Sequence, residues 1–185
     1  MGRLAEIFSE GAIRGAVDLS TFVSVGNATQ PFIRLLAAVD AVAQELPQPV
    51  IVQAGSASFH SDRCSVCAFT SMSRFEELVR ESELLILHAG AGSVMHAIAA
   101  RKVPVVMARR AALGEHVDDH QVELAHELEQ AGRVVVAEDG DGLLAACLGA
   151  LAAQRRLSAE ARVPNLVALV AAVLSDYAQR NAKQK

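Results

Sequence analysis

Leu84-Leu85-Ile86-Leu87-His88-Ala89-Gly90-Ala91-Gly92-Ser93 is the stretch whose reading decides the fold. Four consecutive apolar residues read as a strand buried on both faces, the pattern of a parallel sheet covered by helices. The small-residue turn that follows leads into a helical pattern over 92–100. A glycine turn between strand and helix lets backbone approach an anion, and the free N–H groups of a helix start attract negative charge. Gly90, Ala91, Gly92 and Ser93 are therefore the expected phosphate cradle. A second polar cluster, His116-Val117-Asp118-Asp119-His120-Gln121, lies downstream.

The same alternation extends outward. Thr21-Phe22-Val23-Ser24-Val25 reads as a strand ending at Gly26-Asn27. A helix then starts near Pro31, with apolar spacing at Phe32, Leu35, Leu36, Val39 and Val42, and closes before Pro47 and Pro49. Strands are expected over 50–53, 66–69, 103–107 and 133–137. Ser73 and Glu76 have capping-box spacing for a helix over 73–80. Asp118 or Asp119 is placed to cap a helix running to Gln130, which Gly132 ends. Helices follow over 142–155 and 165–180, with Pro164 in the break. This order predicts a doubly wound, Rossmann-like α/β fold with a mainly parallel sheet. The expected division is an N-terminal extension at 1–20, one nucleotide-binding α/β domain at 21–155, and a C-terminal helix and tail at 156–185. Gly26-Asn27, Gln53-Ala54-Gly55, the turn at 88–93 and the segment 109–121 all follow strands. They therefore fall on one rim, where ligands of such sheets bind.

Bulk properties narrow the function classes. A chain of 185 residues suits one domain, and 52% hydrophobic content supports a full core. Aromatics are only 4%, so Ala, Val and Leu carry the packing. The formal charge of −4 argues against a nucleic-acid partner held by bulk electrostatics. The longest apolar runs, 143–153 and 166–174, are shorter than the roughly 18–20 residues that span a bilayer. Residues 1–19 mix acids with apolar residues and lack a secretory h-region. Cys64 and Cys67 form a lone CxxC to which His60 would add a third ligand, and Cys147 sits in an apolar helix. Structural or incidental thiols are the leading reading, with metal or redox use as the alternative. The lack of a disulfide framework fits the cytoplasm.

The ordered segments Val25-Gly26-Asn27 with Pro31-Phe32, Gln53-Ala54-Gly55, the turn at 88–93, and Gly114-Glu115-His116-Val117-Asp118-Asp119-His120-Gln121-Val122-Glu123-Leu124-Ala125 carry a resemblance. Together they resemble the C-terminal, donor-binding half of GT-B glycosyltransferases, the glycosyltransferase family 28 C-terminal domain. More narrowly, the chain looks like the short soluble subunits of split enzymes. These include bacterial exopolysaccharide transferase subunits and the cytosolic half of the dolichol-linked N-acetylglucosaminyltransferase. The resemblance spans roughly residues 21–151. A lone glycine turn is weak, but four segments in this order are specific.

The resemblance implies one half of a GT-B glycosyltransferase that takes a UDP-sugar as substrate, with no metal and no cofactor. It implies an inverting transfer to a lipid-linked acceptor in polysaccharide biosynthesis. The acceptor domain and the catalytic base would lie on a membrane-anchored partner subunit, placing this chain at the inner face of the membrane. A homodimer in isolation is the other assembly considered. Gly26, Asn27, Gly90, Ala91, Gly92 and Ser93 would hold the diphosphate, although the family more often has Thr or Ser where Asn27 stands. Asp118, His120 and Gln121 would read the sugar. Gln53, His88, His96, Arg109 and His116 would line the pocket or meet the ribose. A glutamate that binds the ribose hydroxyls commonly stands where this chain has His96. Arg109 and Arg110 are equally readable as solvated loop charges. The alternatives are a nucleotide-binding regulatory module and half of an epimerase-like protein. A dinucleotide dehydrogenase is disfavoured, because no GxGxxG follows the first strand and Gln53, not an acid, ends the second.

Overall fold

Two apolar cores form, one on each face of a single sheet. The computed structural model describes residues 20–159. In chain order the elements are β1 (Thr21–Ser24), α1 (Ile33–Val42), β2 (Val50–Gln53), β3 (Ser65–Cys67), α2 (Met72–Glu81), β4 (Leu84–His88), α3 (Ala91–Ala99), β5 (Val105–Met107), α4 (His120–Gln130), β6 (Val135–Val136) and α5 (Leu143–Ala159). Strand side chains alternate between the faces, as the two-residue strand period requires. Val23, Leu84, Ile86, Val105 and Met107 pack against Leu35, Leu36 and Val39 of α1 and Leu143 and Cys147 of α5. Phe22, Leu85, Leu87 and Val106 pack on the other face against α2, α3 and α4 through Phe75, Val94, Ala97 and Leu124. Coverage on both faces is why β4 is a continuous apolar run.

The strand order is β3-β2-β1-β4-β5-β6. Every pairing is parallel, and Ser24 stands opposite both Gln53 and Leu87. The doubly wound fold expected from sequence is the fold observed.

Element ends differ in places. The third strand covers 65–67, not 66–69, because its pairing partner runs out. Ser65 to Cys67 align with Ile51 to Gln53, and the chain leaves β2 at Gly55 with φ +61. The last two strands are shorter than expected, at 105–107 and 135–136. The α2 cap is Ser71, not Ser73. Ser71 has the extended φ −66, ψ 157 of a capping residue, and its hydroxyl accepts the Arg74 N–H at 3.2 Å. Ser73 lies inside the helix. The helix expected over 142–155 is α5, which runs from Leu143 to Ala159. The expected helix over 165–180 and nearly all of the N-terminal extension lie outside the described residues. Among those residues, no helix is long and apolar enough to cross a membrane.

Cys64 precedes β3, Cys67 ends it, and both thiols are free. Burial pushes both thiols up, and burial pushes the Cys147 thiol up to about 12. Among the described residues no group of three His, Cys, Asp or Glu is placed to hold a metal ion. A cavity of about 800 Å³ opens along the β3 edge, lined by Pro49, Phe59, His60, Arg63, Cys64 and Val66.

Candidate functional site

Strand order reverses between β1 and β4, and ligands of such sheets bind outside the strands' carboxyl ends at this point. Gly26 and Asn27 leave β1 on one side, and Gly90 begins α3 on the other. Gly90 is the N-cap, with no side chain capping the helix. The N–H groups of Ala91, Gly92 and Ser93 therefore have no acceptor within the helix. Ala91 and Gly92 are exposed. These donors and the partial positive charge of the helix start are an arrangement suited to an anion.

The β1 side is braced by a chain of hydrogen bonds. The Gly26 N–H donates to Ser24 Oγ at 3.2 Å, the Ser24 hydroxyl donates to Gln53 Oε1 at 2.9 Å, and Gln53 Nε2 donates to Asn27 Oδ1 at 3.1 Å. Gln53 is buried and holds this wall in place. Asn27 is exposed, and because its oxygen is occupied its amide N–H groups are the atoms offered to a ligand. Ser24 was not among the residues singled out from sequence. Its signal was a hydroxyl at an otherwise apolar strand end.

His88 fills the floor between the two walls. Its Nδ1–H donates to the Ser24 carbonyl at 3.4 Å, which leaves Nε2 as the acceptor nitrogen. The ring lies where a Cβ on Gly26 or Gly90 would be. A Cβ on Gly26 would stand 2.5 Å from His88 Cε1, and one on Gly90 would overlap His88 Nε2. Gly26 also has φ +77, so glycine is required there twice over. Burial lowers the His88 imidazole to about 4. Nearby Arg109 and His116 push the same way, and the bond to Ser24 opposes them.

His88 is thus neutral near pH 7, with a consequence for acid stability. Between the ordinary histidine value and about 4 the unfolded chain holds a proton that the folded chain does not. Stability is therefore expected to fall as pH drops through that window and to level off below it, by about 3 kcal/mol in all. His88→Asn removes this slope, measured as the urea midpoint from pH 7 to pH 4. An unchanged slope would show that other groups carry the acid sensitivity.

Arg109 is fully buried, so it is not a solvated loop charge. Its guanidinium donates to the carbonyls of Val25 at 2.8 Å, Gln30 at 2.8 Å and Glu115 at 3.1 Å. It lies over the Phe32 ring with 4.7 Å to the centroid, and its Nε has no partner among the described residues. Burial pulls its pKa down while Glu115 pushes it up. It ties the end of β1 and the loop before α1 to the loop before α4. Arg34 and Glu115 reinforce this tie with a two-point contact at 3.0 and 2.8 Å, and Arg34 also donates to the Ala108 carbonyl at 2.7 Å. Neither was picked out from sequence, and an acid close to two consecutive arginines was the available signal. Arg110 pairs with the Glu138 carboxylate at 3.0 Å.

The loop held in this way presents the second polar cluster. His116 Nδ1 lies 3.0 Å from Asp118 Oδ1 and 3.4 Å from the Asp118 backbone N; the shorter contact, to a carboxylate oxygen that can only accept, puts the proton on Nδ1, and Asp118 Oδ2 stands 3.5 Å from His120 Nε2. Asp118 Oδ1 also accepts the His120 N–H at 3.2 Å, so Asp118 caps the α4 start from one residue before the N-cap. Asp119 occupies the N-cap position, and its Oδ1 accepts the Ala111 N–H at 2.8 Å. Gln121 Oε1 accepts the Arg109 N–H at 3.3 Å, turning its amide N–H groups outward. His96 lies apart from these groups on α3. It meets the Phe75 ring edge-on at 5.8 Å and stands 3.7 Å from Glu76 Oε1, facing α2.

The model of the glycosyltransferase family 28 C-terminal domain matches residues 20–166. The chain belongs to this family. No curated relative matches it in sequence. Among solved structures, the chain is similar to a glycotransferase of kitacinnamycin, with TM-score 0.59 and 18% identity over 79% of this chain and 39% of that one. It is also similar to the glycosyltransferase SnogD from Streptomyces nogalater, with TM-score 0.52 and 18% identity over 89% of this chain and 46% of that one. At this identity the likeness concerns the fold, and this family 28 domain spans less than half of either structure.

Proposed function

We propose that this family 28 domain is the donor-binding subunit of a two-component glycosyltransferase. It takes a UDP-sugar and acts with a membrane-anchored partner that carries the acceptor site, for a lipid-linked acceptor in polysaccharide biosynthesis. The observation that carries the reading is the β1/β4 reversal, with Gly26 and Asn27 at the end of β1 and the uncapped α3 start after β4. In transfer, the acceptor hydroxyl attacks the anomeric carbon, the bond to the β-phosphate oxygen breaks, and UDP leaves. The N–H groups of Ala91, Gly92 and Ser93 then meet the charge that grows on that phosphate. Asp118, His120 and Gln121 stand across the rim to read sugar hydroxyls.

Exposed apolar residues support a covering partner. Ile33, Phe69, Met72, Leu113 and Val117 are each more than half exposed, and all lie in segments that follow the strands' carboxyl ends. A second domain seated there would bury them and exclude water from the site.

UDP and UDP-sugars are expected to raise the melting temperature, through binding linkage, while GDP and NAD do not. An equal response to all, or none, would sink the donor-site reading. Gln121→Ala is expected to weaken UDP-sugar binding about tenfold and UDP binding much less, on the scale of one lost polar contact. Equal losses for both ligands would remove Gln121 from sugar recognition.

A further inference from the structure

The charge balance of the rim points to one more role. A nucleotide diphosphate brings about two negative charges, and a helix start supplies only about half of one positive charge. Arginines in the segments that follow the strands' carboxyl ends are already engaged. Arg109 is buried on three carbonyls, Arg34 holds Glu115, Arg110 holds Glu138, and Arg74 holds Glu77. The remaining groups there that can gain positive charge are imidazoles. His88 is neutral and lies beneath the glycine turn, and Arg109 joins the carbonyls of Val25 and Glu115, which brings the residue after Glu115, His116, to the end of β1. His116 has its Nδ1–H fixed on Asp118, and its Nε2 has no partner among the described residues. Its side chain is 29% exposed.

We propose that His116, oriented by Asp118, is the residue that supplies cationic charge to the bound diphosphate, taking up one proton at Nε2 as the nucleotide binds. This rests on the donor-binding reading and adds to it a proton-linked contact. The proton comes from solvent, and no bond to the nucleotide is made or broken. Asp118 serves as counter-charge: its Oδ1 holds His116, and its Oδ2 faces His120. The other titratable and charged groups facing this pair are His88 from the end of β4, buried Arg109 from the end of β5, Glu115 and Asp119 from the same loop, and Glu123 from α4. Glu115 is neutralised by Arg34, Asp119 is bonded to Ala111 N–H, and Glu123 stands 4.0 Å from His120. Histidine is the side chain that changes charge between pH 5 and 8, so the coupling falls in an accessible range.

The test is calorimetric titration of the full chain with UDP-glucose, whose pyrophosphate stays doubly charged from pH 5.5 to 8.5. Comparing buffers of different ionisation enthalpy gives the number of protons taken up. About two-thirds of a proton is expected near the middle of the range, with affinity falling about tenfold between pH 6 and pH 8. His116→Gln is expected to bind with no uptake and a flat pH profile. Asp118→Asn keeps the capping oxygen and is expected to lose most of the uptake, with the gap from the native chain closing at high pH. Binding without proton uptake by the native chain, or uptake that survives His116→Gln, would overturn the proposal and leave the donor site standing. An equal loss at every pH in Asp118→Asn would overturn the counter-charge role of Asp118. No binding of UDP or UDP-glucose at any pH would remove the donor-site reading, and this proposal with it.

Discussion

Arg109→Met is expected to lower stability by about 3–5 kcal/mol, measured as the shift in urea midpoint multiplied by the slope of the transition. Methionine fills similar space but donates no hydrogen bond. The carbonyls of Val25, Gln30 and Glu115 would lose the donor that now joins three segments. The loss would be a large fraction of the 5–15 kcal/mol that holds a typical domain together. Arg109→Lys is the informative companion. It keeps the charge but replaces a planar fork with a point donor, so it is expected to recover less than half of the loss. A loss below about 1 kcal/mol in Arg109→Met would show that the loops hold their places without the guanidinium. Full rescue by lysine would show that charge alone matters.

The second large effect concerns the glycines beside His88. Gly90→Ala puts a methyl group into the imidazole, with Cδ2 2.8 Å from the new atom. A cost of about 1–3 kcal/mol is expected, together with weaker UDP binding, because either the ring or the α3 start must shift. The cycle with His88→Ala identifies the cause. Removing the ring should make Gly90→Ala nearly neutral, since the backbone there has φ −78, which alanine adopts without strain. Gly26→Ala in the same background should still cost about 1–2 kcal/mol, because φ +77 penalises any Cβ. Comparison of urea midpoints across both cycles gives the coupling energies. Gly90→Ala that remains costly without the ring would show that the clash is not with His88.

Some of the site was legible from local pattern. The turn at 88–93 reads as strand, glycine turn and helix start because each signal lies within ten consecutive residues. The cap of α2 shows the limit. Ser71 and Ser73 are both plausible caps by residue type, and the backbone angles at 71 decide between them. Arg109 shows a deeper limit. Its carbonyl partners on Val25 and Gln30 lie 84 and 79 residues away. Nothing adjacent to an Arg-Arg pair distinguishes a buried fork from a solvated charge. His96 was placed at the pocket through the resemblance, at the position where the family commonly has glutamate, and its ring meets Phe75 and stands near Glu76 of α2.

By itself the sequence determined the class of fold, the parallel sheet, the glycine turn and the family, because these depend on periodicities and motifs confined to short segments. Only the tertiary structure decided the strand order with its reversal between β1 and β4, the burial of Arg109 and the sharing of Asp118 between two histidines. Those features depend on which distant segments meet. That is settled by the simultaneous packing of two cores and by the demand that every buried donor and acceptor find a partner.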